Sequence, residues 1–245
     1  MKVIGFIPVR YESSRLYGKA LKKISGIPAI VHVYKRSLLS KELDDLYVVT
    51  DSIKIKNILD LYSSKVILTS KHNNGTERIY EVTKKIKSDI IINIQGDEVL
   101  VDPINIDKLI KDMKKNKKYG YFLGVTKFNK INQKNVFKAV LNNKSEMIYC
   151  SREDIPSSSI VVNNNRLKVV FIVGYYRNYL NKFIKLRPSK NELREPNEFL
   201  RIIDNGFVIK TVNFPKAEIS LDSDSDLYQI RKLIKKDKYF SKNYY

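Results

Sequence analysis

The sequence predicts an α/β protein, a mostly parallel sheet with helices on its faces. Short apolar runs without a helical period alternate with amphipathic segments in the first half, as at 3–7 and 90–94. Such runs are typical of strands buried on both faces of a parallel sheet. Ligands of doubly wound sheets bind where strands end in loops, so residues that follow these runs are the first candidates for a site.

The first half is predicted element by element from these runs and from helix-start signals. Pro28 suits the first turn of a helix that extends to about Ser40, and Ser52 suits the N-cap of the next helix. A third helix opens with Thr76-Glu77-Arg78 and extends to about Lys87. Strands are predicted at 3–7, 46–50, 65–69 and 90–94.

The second half contains more short strands and longer loops. Strands are predicted at 121–125, 137–141, 147–150, 168–176, 207–212 and 219–221, helices at 103–116, 178–186, 197–205 and 222–236, and a polar loop at 157–165. No internal repeat or low-complexity linker forces a second domain. The whole of 1–245 is therefore predicted to be a single domain.

Composition limits the classes of function. A formal net charge of +20 suggests nucleic acid, but the lysines are spread along the chain and no nucleic-acid motif accompanies them. The excess fits attraction of a small anionic substrate, without a specific nucleic-acid partner. The single cysteine, Cys150, excludes an internal disulfide and points to the cytoplasm. No apolar run is long enough for membrane insertion.

The loop after the first strand is the first candidate site. Arg10, Arg15 and Lys19 are spaced along it with one glycine, Gly18, which suits the wrapping of a polyphosphate. The spacing matches neither a Walker loop nor GxGxxG. The alternative is an exposed basic loop in a basic protein.

Two aspartates are candidate ligands of Mg²⁺. Asp97 follows the buried run 90–94, and Mg²⁺ is usually held by one or two carboxylates together with substrate phosphates. Asp222, at the end of the predicted strand 219–221, is the candidate partner. Its alternative role is to cap the final helix, while Asp224 and Asp226 suit the helix dipole.

Three ordered blocks resemble the sugar-acid cytidylyltransferases, most closely the 3-deoxy-manno-octulosonate (KDO) cytidylyltransferase family. The blocks are Arg10 to Lys19, Gly75 to Arg78 and Asn93 to Glu98, and the family shows PARYxSxRxPGKPL, SGTER and NVQGDEP in the same order. The resemblance implies a Rossmann-like nucleotidyltransferase fold with a smaller antiparallel region. It also implies a nucleotide-binding half to about residue 125, a sugar-binding and dimerisation part at 126–215, and a closing strand and helix at 216–236.

The activity implied by the resemblance is transfer of CMP from CTP to the anomeric hydroxyl of a 2-keto sugar acid, with release of pyrophosphate. Mg²⁺ is the implied cofactor and a homodimer the implied assembly. Catalytic roles are implied for Arg10, Lys19 and Asp97, and metal ligation for Asp97 and Asp222. Contacts with CTP are implied for Pro8, Arg10, Arg15, Lys19, Asn74, Gly75, Arg78, Gln95 and Gly96.

The match is weaker in the part of the chain that would bind the sugar. Sugar contacts are implied for Gln95, Arg152, Tyr175, Glu192 and Glu195. Val169, however, stands where the family has a histidine, and Phe171 where it has a glycine. The acceptor could therefore be KDO, its 8-amino analogue or another 2-keto sugar acid.

Two alternative functions stay open at this point. One is a cytidylyltransferase for another sugar acid, of the sialic-acid type. The other is a catalytically inactive relative that binds nucleotide or RNA through its basic surface. Arg10, Lys19, Asp97 and Asp222 together argue against loss of activity.

Overall fold

A computed structural model of the chain describes residues 1–13, 15–157, 165–217 and 219–240. The contacts divide the chain into two compact units. Unit 1 comprises Met1–Asp107 with the described part of Glu218–Tyr245, and unit 2 comprises Lys108–Ala217. This boundary precedes the division near residue 125 that the resemblance implied.

Unit 1 opens with the alternation of strands and helices that the sequence predicts. A short 3₁₀ helix, Lys19–Leu21, follows the first strand. The elements in order are β1 (Val3–Pro8), β2 (Lys23–Ile24), β3 (Ile27–Pro28), α1 (Ala29–Ser37), β4 (Asp45–Thr50), α2 (Ile53–Asp60), β5 (Val66–Leu68), α3 (Gly75–Thr83) and β6 (Ile90–Ile94). Helix α4 (Pro103–Lys115) begins in unit 1 and continues into unit 2.

The main strands of unit 1 are parallel, in the order β6-β1-β4-β5. All residues of β1 are buried, as expected for a strand with neighbours on both sides and cover on both faces. Pro8, at the end of β1, pairs with Val49, and Phe6 pairs with Asn93 of β6. The loops after β1, β4 and β6 therefore leave the same edge of the sheet.

Local signals explain where the elements of unit 1 differ from the prediction. The helix predicted from residue 28 begins one residue later, with Pro28 as its N-cap. Asn74 caps α3, its side-chain oxygen accepting from Glu77 N at 2.8 Å. The β2–β3 hairpin was not predicted. Ser25 and Gly26 both have positive φ there, as in the two-residue turns that join tight hairpins.

Unit 2 contains the smaller antiparallel region. Strand β10 runs antiparallel to β7 and β8, β8 runs antiparallel to β9, and β11 is parallel to β7. Its elements after α4 are β7 (Tyr121–Phe128), β8 (Lys138–Leu141), β9 (Met147–Ser151), β10 (Arg166–Tyr176), α5 (Arg177–Phe183), α6 (Lys190–Arg194), α7 (Glu198–Asp204) and β11 (Ile209–Asn213).

Most of unit 2 follows the predicted order, although the short helix α6 was not predicted. Gly206, with φ of +76°, follows the end of α7 and stops it as expected. Most of the predicted loop 157–165 falls outside the described residues. No helix in the described ranges is long and apolar enough to cross a membrane.

The chain then returns to unit 1 and ends in α8 (Asp224–Ile234). The predicted strand at 219–221 is wrong, because this segment has no regular ladder and runs as irregular backbone. The final helix starts after Ser223, which caps it in a capping box with Asp226. Asp222 lies one residue before the cap, so its carboxylate does not serve as the cap.

Candidate active site

The site in unit 1 is built around Pro8, the last residue of β1. A Cβ atom on Gly75 would lie 2.9 Å from Pro8 Cγ, and one on Gly96 would lie 3.1 Å from the Pro8 carbonyl oxygen. Any larger residue at either position would push these segments apart. The two glycines therefore let the start of α3 and the turn after β6 close against the end of β1.

A cavity of about 330 Å³ opens beside this junction. Its walls come from the three blocks identified in the sequence and from residues next to them, which are Pro8, Val9, Ala20 and the loop residues His72, Asn73 and Asn74. Every residue predicted to contact CTP lines it, as does Asp97: Pro8, Arg10, Arg15, Lys19, Asn74, Gly75, Arg78, Gln95 and Gly96. The fold thus brings the predicted nucleotide residues together, and their contact with CTP stays a prediction.

Asp97 and Asp222 meet on one ammonium group. Lys19 Nζ lies 2.6 Å from Asp97 Oδ2 and 3.1 Å from Asp222 Oδ1. The 3₁₀ helix delivers Lys19 just after Gly18, whose φ of +62° is the left-handed conformation that glycine adopts readily. Two residues far apart in sequence are therefore neighbours in the folded chain.

Backbone contacts explain why Asp222 lies beside Asp97. The amide of Leu221 donates to the carbonyl oxygen of Asp97 at 2.9 Å. Ser220 Oγ donates to Glu98 Oε1 at 2.6 Å. These bonds fasten the segment before α8 to the turn after β6, so an irregular segment positions Asp222 beside Asp97.

The electrostatics of this cluster keep Lys19 charged. Burial alone would lower the pKa of the Lys19 amine, but the carboxylates of Asp97 and Asp222 outweigh burial and raise it. Arg15 lies 2.9 Å from Asp222 Oδ1, with 56% of its side chain exposed. Lys19 and Arg15 thus turn towards the carboxylates, and Arg10 is exposed at the cavity wall.

Arg78 lies deeper, and its partners were not predicted. Its side chain is only 4% exposed, and it donates to Asp51 Oδ2 at 2.9 Å and to Thr69 Oγ1 at 2.6 Å. Asp51 directly follows β4 and Thr69 directly follows β5. The rule that ligand-side residues follow parallel strands could have identified both.

The carboxylate pair is chemically suited to a hard divalent cation. Asp97 and Asp222 supply the oxygen ligands that Mg²⁺ prefers. In the part of the chain that the structure describes, no group of three or more histidine, cysteine, aspartate or glutamate residues is arranged to hold a metal. Two carboxylates fit the usual pattern in which substrate phosphates complete the magnesium shell.

Two glutamates of unit 2 that are predicted to contact the sugar, Glu192 and Glu195, have different hydrogen-bond partners. Glu195 accepts from Ser151 Oγ at 2.6 Å and from the Arg152 amide at 3.2 Å. Glu192 instead forms a two-pronged pair with Arg201 at 2.8 and 2.6 Å, and also closes the capping box of α6. Ser151, Arg152 and Glu195 therefore form one cluster, while the carboxylate of Glu192 is already engaged.

Tyr175 and Val169 lie in the interior of unit 2. Tyr175 is 1% exposed and packs edge-to-face against Tyr121. Val169, at the position of the family histidine, is also buried, and its amide donates to the Phe137 carbonyl at 2.8 Å. Gln95, the remaining predicted sugar contact, lines the cavity of unit 1.

Comparison with known proteins establishes the family. Residues 4–241 match the family model described as Cytidylyltransferase. The chain belongs to the cytidylyltransferase family. It is accordingly a nucleotidyltransferase, and the resemblance seen in the three sequence blocks is confirmed.

Relatives of this cytidylyltransferase carry two related names. The chain is 37% identical over 244 residues to a 3-deoxy-manno-octulosonate cytidylyltransferase of Fusobacterium nucleatum, which covers 97% of this chain and 98% of the relative. It is 36% identical over 236 residues to an 8-amino-3,8-dideoxy-manno-octulosonate cytidylyltransferase of Shewanella pealeana, which covers 91% and 96%.

A solved structure supports the fold of this cytidylyltransferase over nearly its whole length. It is described as CMP:2-keto-3-deoxy-manno-octonic acid synthetase complexed with CTP. The TM-score is 0.91 at 31% identity, covering 96% of this chain and 99% of the other. The predicted α/β nucleotidyltransferase fold is thereby confirmed.

Proposed function

We propose that this cytidylyltransferase transfers CMP from CTP to the anomeric hydroxyl of KDO or 8-amino-KDO, with release of pyrophosphate. The observation that carries the proposal is the meeting of Asp97 and Asp222 on Lys19 Nζ, at a cavity also lined by Arg10 and Arg15. Names of the relatives and of the CTP-bound neighbour support the substrate class.

Asp97 and Asp222 would hold the Mg²⁺ ion. When bound, Mg²⁺ would lower the pKa of the acceptor hydroxyl and neutralise charge on the α-phosphate. The acceptor hydroxyl would itself attack the α-phosphorus as pyrophosphate leaves, so no nucleophile from the protein is required. The Cys150 thiol is consistent with this, because burial raises its pKa to about 12 and disfavours the thiolate.

Lys19, Arg15 and Arg10 would stabilise the departing pyrophosphate. Negative charge grows on the leaving group during the transfer, and fixed cations stabilise that charge more in the transition state than in the ground state. Lys19 is already protonated and held in place by two carboxylates. When the cation and the triphosphate bind, the carboxylates would contact the cation and Lys19 would contact the phosphates. Lys19 would already lie close to its new partner, so little conformational entropy would be lost.

Other residues would bind and orient the two substrates. Gly75 and Gly96 let the start of α3 and the turn after β6 close against the end of β1, beside the proposed nucleotide site, and the buried Arg78, fixed by Asp51, would donate to the nucleotide. In unit 2, Arg152 would bind the carboxylate of the sugar acid, since a guanidinium matches carboxylate geometry.

Pyrophosphate release is the direct test. The protein is incubated with CTP, ATP, GTP or UTP and with KDO, 8-amino-KDO or N-acetylneuraminic acid, with and without Mg²⁺. We expect turnover with CTP and one or both octulosonic acids, and loss of turnover when the metal is chelated. Turnover with N-acetylneuraminic acid alone would instead indicate a cytidylyltransferase of the sialic-acid type. No turnover, together with salt-sensitive RNA binding, would favour an inactive relative.

Assembly is a separate part of the proposal. The family resemblance implies a homodimer, and light scattering of the purified protein measures its mass directly. A monomer at micromolar concentration would contradict the dimer without affecting the proposed reaction.

A further inference from the structure

Lys138 of β8 is a lysine buried in the interior of unit 2. Its side chain is 0% exposed, whereas lysine is almost never fully buried unless it is paired. Its ammonium donates to the carbonyl oxygens of Gln133 at 2.9 Å, of Val136 at 3.1 Å and of Arg152. Asp154 Oδ1 lies 3.4 Å away. The three protons of the ammonium are thus matched by three carbonyls, with a carboxylate beside them.

These acceptors join two segments that are separate in sequence. Gln133 and Val136 belong to the loop between β7 and β8, while Arg152 and Asp154 follow β9. Asp154 strengthens the connection, since its other oxygen accepts from the amide of Asn132 at 2.8 Å. Lys138 therefore holds the chain after β9 against the loop that precedes β8.

Arg152 is fixed from several directions by this arrangement. Lys138 holds its carbonyl oxygen, and Glu195 accepts from its amide at 3.2 Å. Its guanidinium lies 4.0 Å from the centre of the ring of Phe137, the residue directly before Lys138. Lys138 thus fixes the backbone of Arg152, and Phe137 packs against the Arg152 side chain, which stays partly exposed.

We propose that Lys138 is a positioning residue that orients Arg152 for the carboxylate of the sugar acid. An arginine already ordered loses less conformational entropy when it binds a ligand, so the order imposed by Lys138 contributes to affinity. The choice of ligand rests on the proposed function, whereas the fixing of Arg152 by Lys138 does not.

The test compares Lys138→Met with Lys134→Met. Lys134 lies in the loop before β8, is 78% exposed and pairs at 3.6 Å with Glu153, which is itself 70% exposed. For Lys138→Met we expect KM for the sugar acid to rise about tenfold with KM for CTP unchanged. The reason is that a displaced Arg152 would weaken binding of the sugar acid, which it contacts, and not binding of CTP. Lys134→Met leaves both constants unchanged.

A double-mutant cycle separates positioning from general damage. In an Arg152→Ala background, Lys138→Met causes no further rise in KM for the sugar acid if Lys138 acts through Arg152. Equal rises in both backgrounds, or no rise in either, would overturn the inference.

A second variant and a second measurement do not require the sugar to be known. Asp154→Asn leaves Lys138 in place and weakens the same connection, so it serves if Lys138→Met fails to fold. Hydrogen exchange of the amides at 151–155 should become about tenfold faster in either variant than in Lys134→Met. Unchanged exchange would contradict the inference. Absence of turnover in the wild-type protein would contradict the proposed function alone.

Discussion

Two pairs of carboxylates, one in each unit, are held in opposite ways. Asp97 and Asp222 in unit 1 share Lys19, and Asp222 also contacts the largely exposed Arg15. In unit 2, Glu192 is held by the buried Arg201 and a backbone amide, whereas Glu195 is held by a hydroxyl, a backbone amide and the partly exposed guanidinium of Arg152 at 3.7 Å. Asp97 and Asp222 thus have charged partners at a cavity, whereas the charged partner of Glu192 lies within the fold.

The difference shows which charged groups are ready to change partners. A cation that enters the cavity of unit 1 can replace Lys19 and Arg15 as the partner of the carboxylates, and a phosphate can replace the carboxylates as the partner of Lys19 and Arg15. Neither exchange leaves a buried charge without a partner. A ligand of Glu192 would have to displace Arg201, and a buried charge that loses its partner destabilises by about 3–5 kcal/mol. The exposure of the partner therefore distinguishes Asp222, which contacts the exposed Arg15, from Glu192, which contacts the buried Arg201.

The largest effect is expected for Asp97→Asn and Asp222→Asn. Each change removes a ligand charge from the proposed metal pair, and we expect kcat to fall at least about a hundredfold, as losses of several kcal/mol in the transition state imply. Steady-state pyrophosphate release gives kcat, and circular dichroism checks the fold. Asp224→Asn is the matched control, because Asp224 is exposed on α8 and should leave kcat unchanged. A near-normal rate in either aspartate variant would remove that residue from the pair.

A smaller but still large effect is expected for Lys19→Met. The change removes the cation shared by the carboxylates and by the proposed pyrophosphate, so kcat should fall about tenfold to a hundredfold. KM for CTP should rise in the same titration. Lys22→Met, a few residues along the same loop and exposed, should change neither constant. A Lys19 variant that matches this control would show that Lys19 pairs with the two carboxylates but takes no part in the reaction.

Glu192→Gln should affect stability more than binding. Loss of the charge weakens the pair with Arg201 and costs about 1–3 kcal/mol, since the guanidinium loses a charged acceptor. Thermal unfolding should show Tm lowered by roughly 3–10 °C, with KM for the sugar acid unchanged. Glu153→Gln, which is exposed, should leave Tm unchanged. A raised KM with an unchanged Tm would instead make Glu192 a sugar ligand, as the family resemblance implied.

The smallest effect is expected for Val169→His. It restores the residue type of the family at a buried position of β10, so the ratio of kcat/KM for KDO to that for 8-amino-KDO should shift by about twofold to tenfold. KM for CTP should not change. Val169→Phe adds bulk without the imidazole and controls for altered packing. Equal ratios in the wild-type, His and Phe forms would make Val169 an ordinary core residue.

Much of the nucleotide site could be predicted because it follows a rule of topology. Residues after neighbouring parallel strands meet at one edge, so Lys19 and Asp97 could be grouped before their contacts were known, and the family resemblance added the block at 75–78. Asp222 was predicted as a candidate ligand, but the strand predicted before it is irregular backbone. Its placement depends on single hydrogen bonds of Leu221 and Ser220, which a hydrophobic pattern in the sequence does not reveal.

The buried contacts of charged side chains in unit 2 could not be predicted for a related reason. Lys138 is one of many lysines, and only the folded chain shows that carbonyls from two loops surround it. The pairing of Glu192 with Arg201 is likewise a choice of partner that spacing alone does not fix. Long-range pairing of charged side chains is decided by packing, and hydrophobic periodicity carries no information about it.

The bond from the Leu221 amide to the Asp97 carbonyl has a consequence for synthesis of the protein. During translation, all of unit 2 emerges before the segment that carries Asp222, so the acidic pair is assembled only after unit 2 has been synthesised. A chain interrupted before residue 219 retains the residues of β1 to β6 yet carries one carboxylate of the two. Such a fragment is expected to leave the cellular pool of CTP untouched.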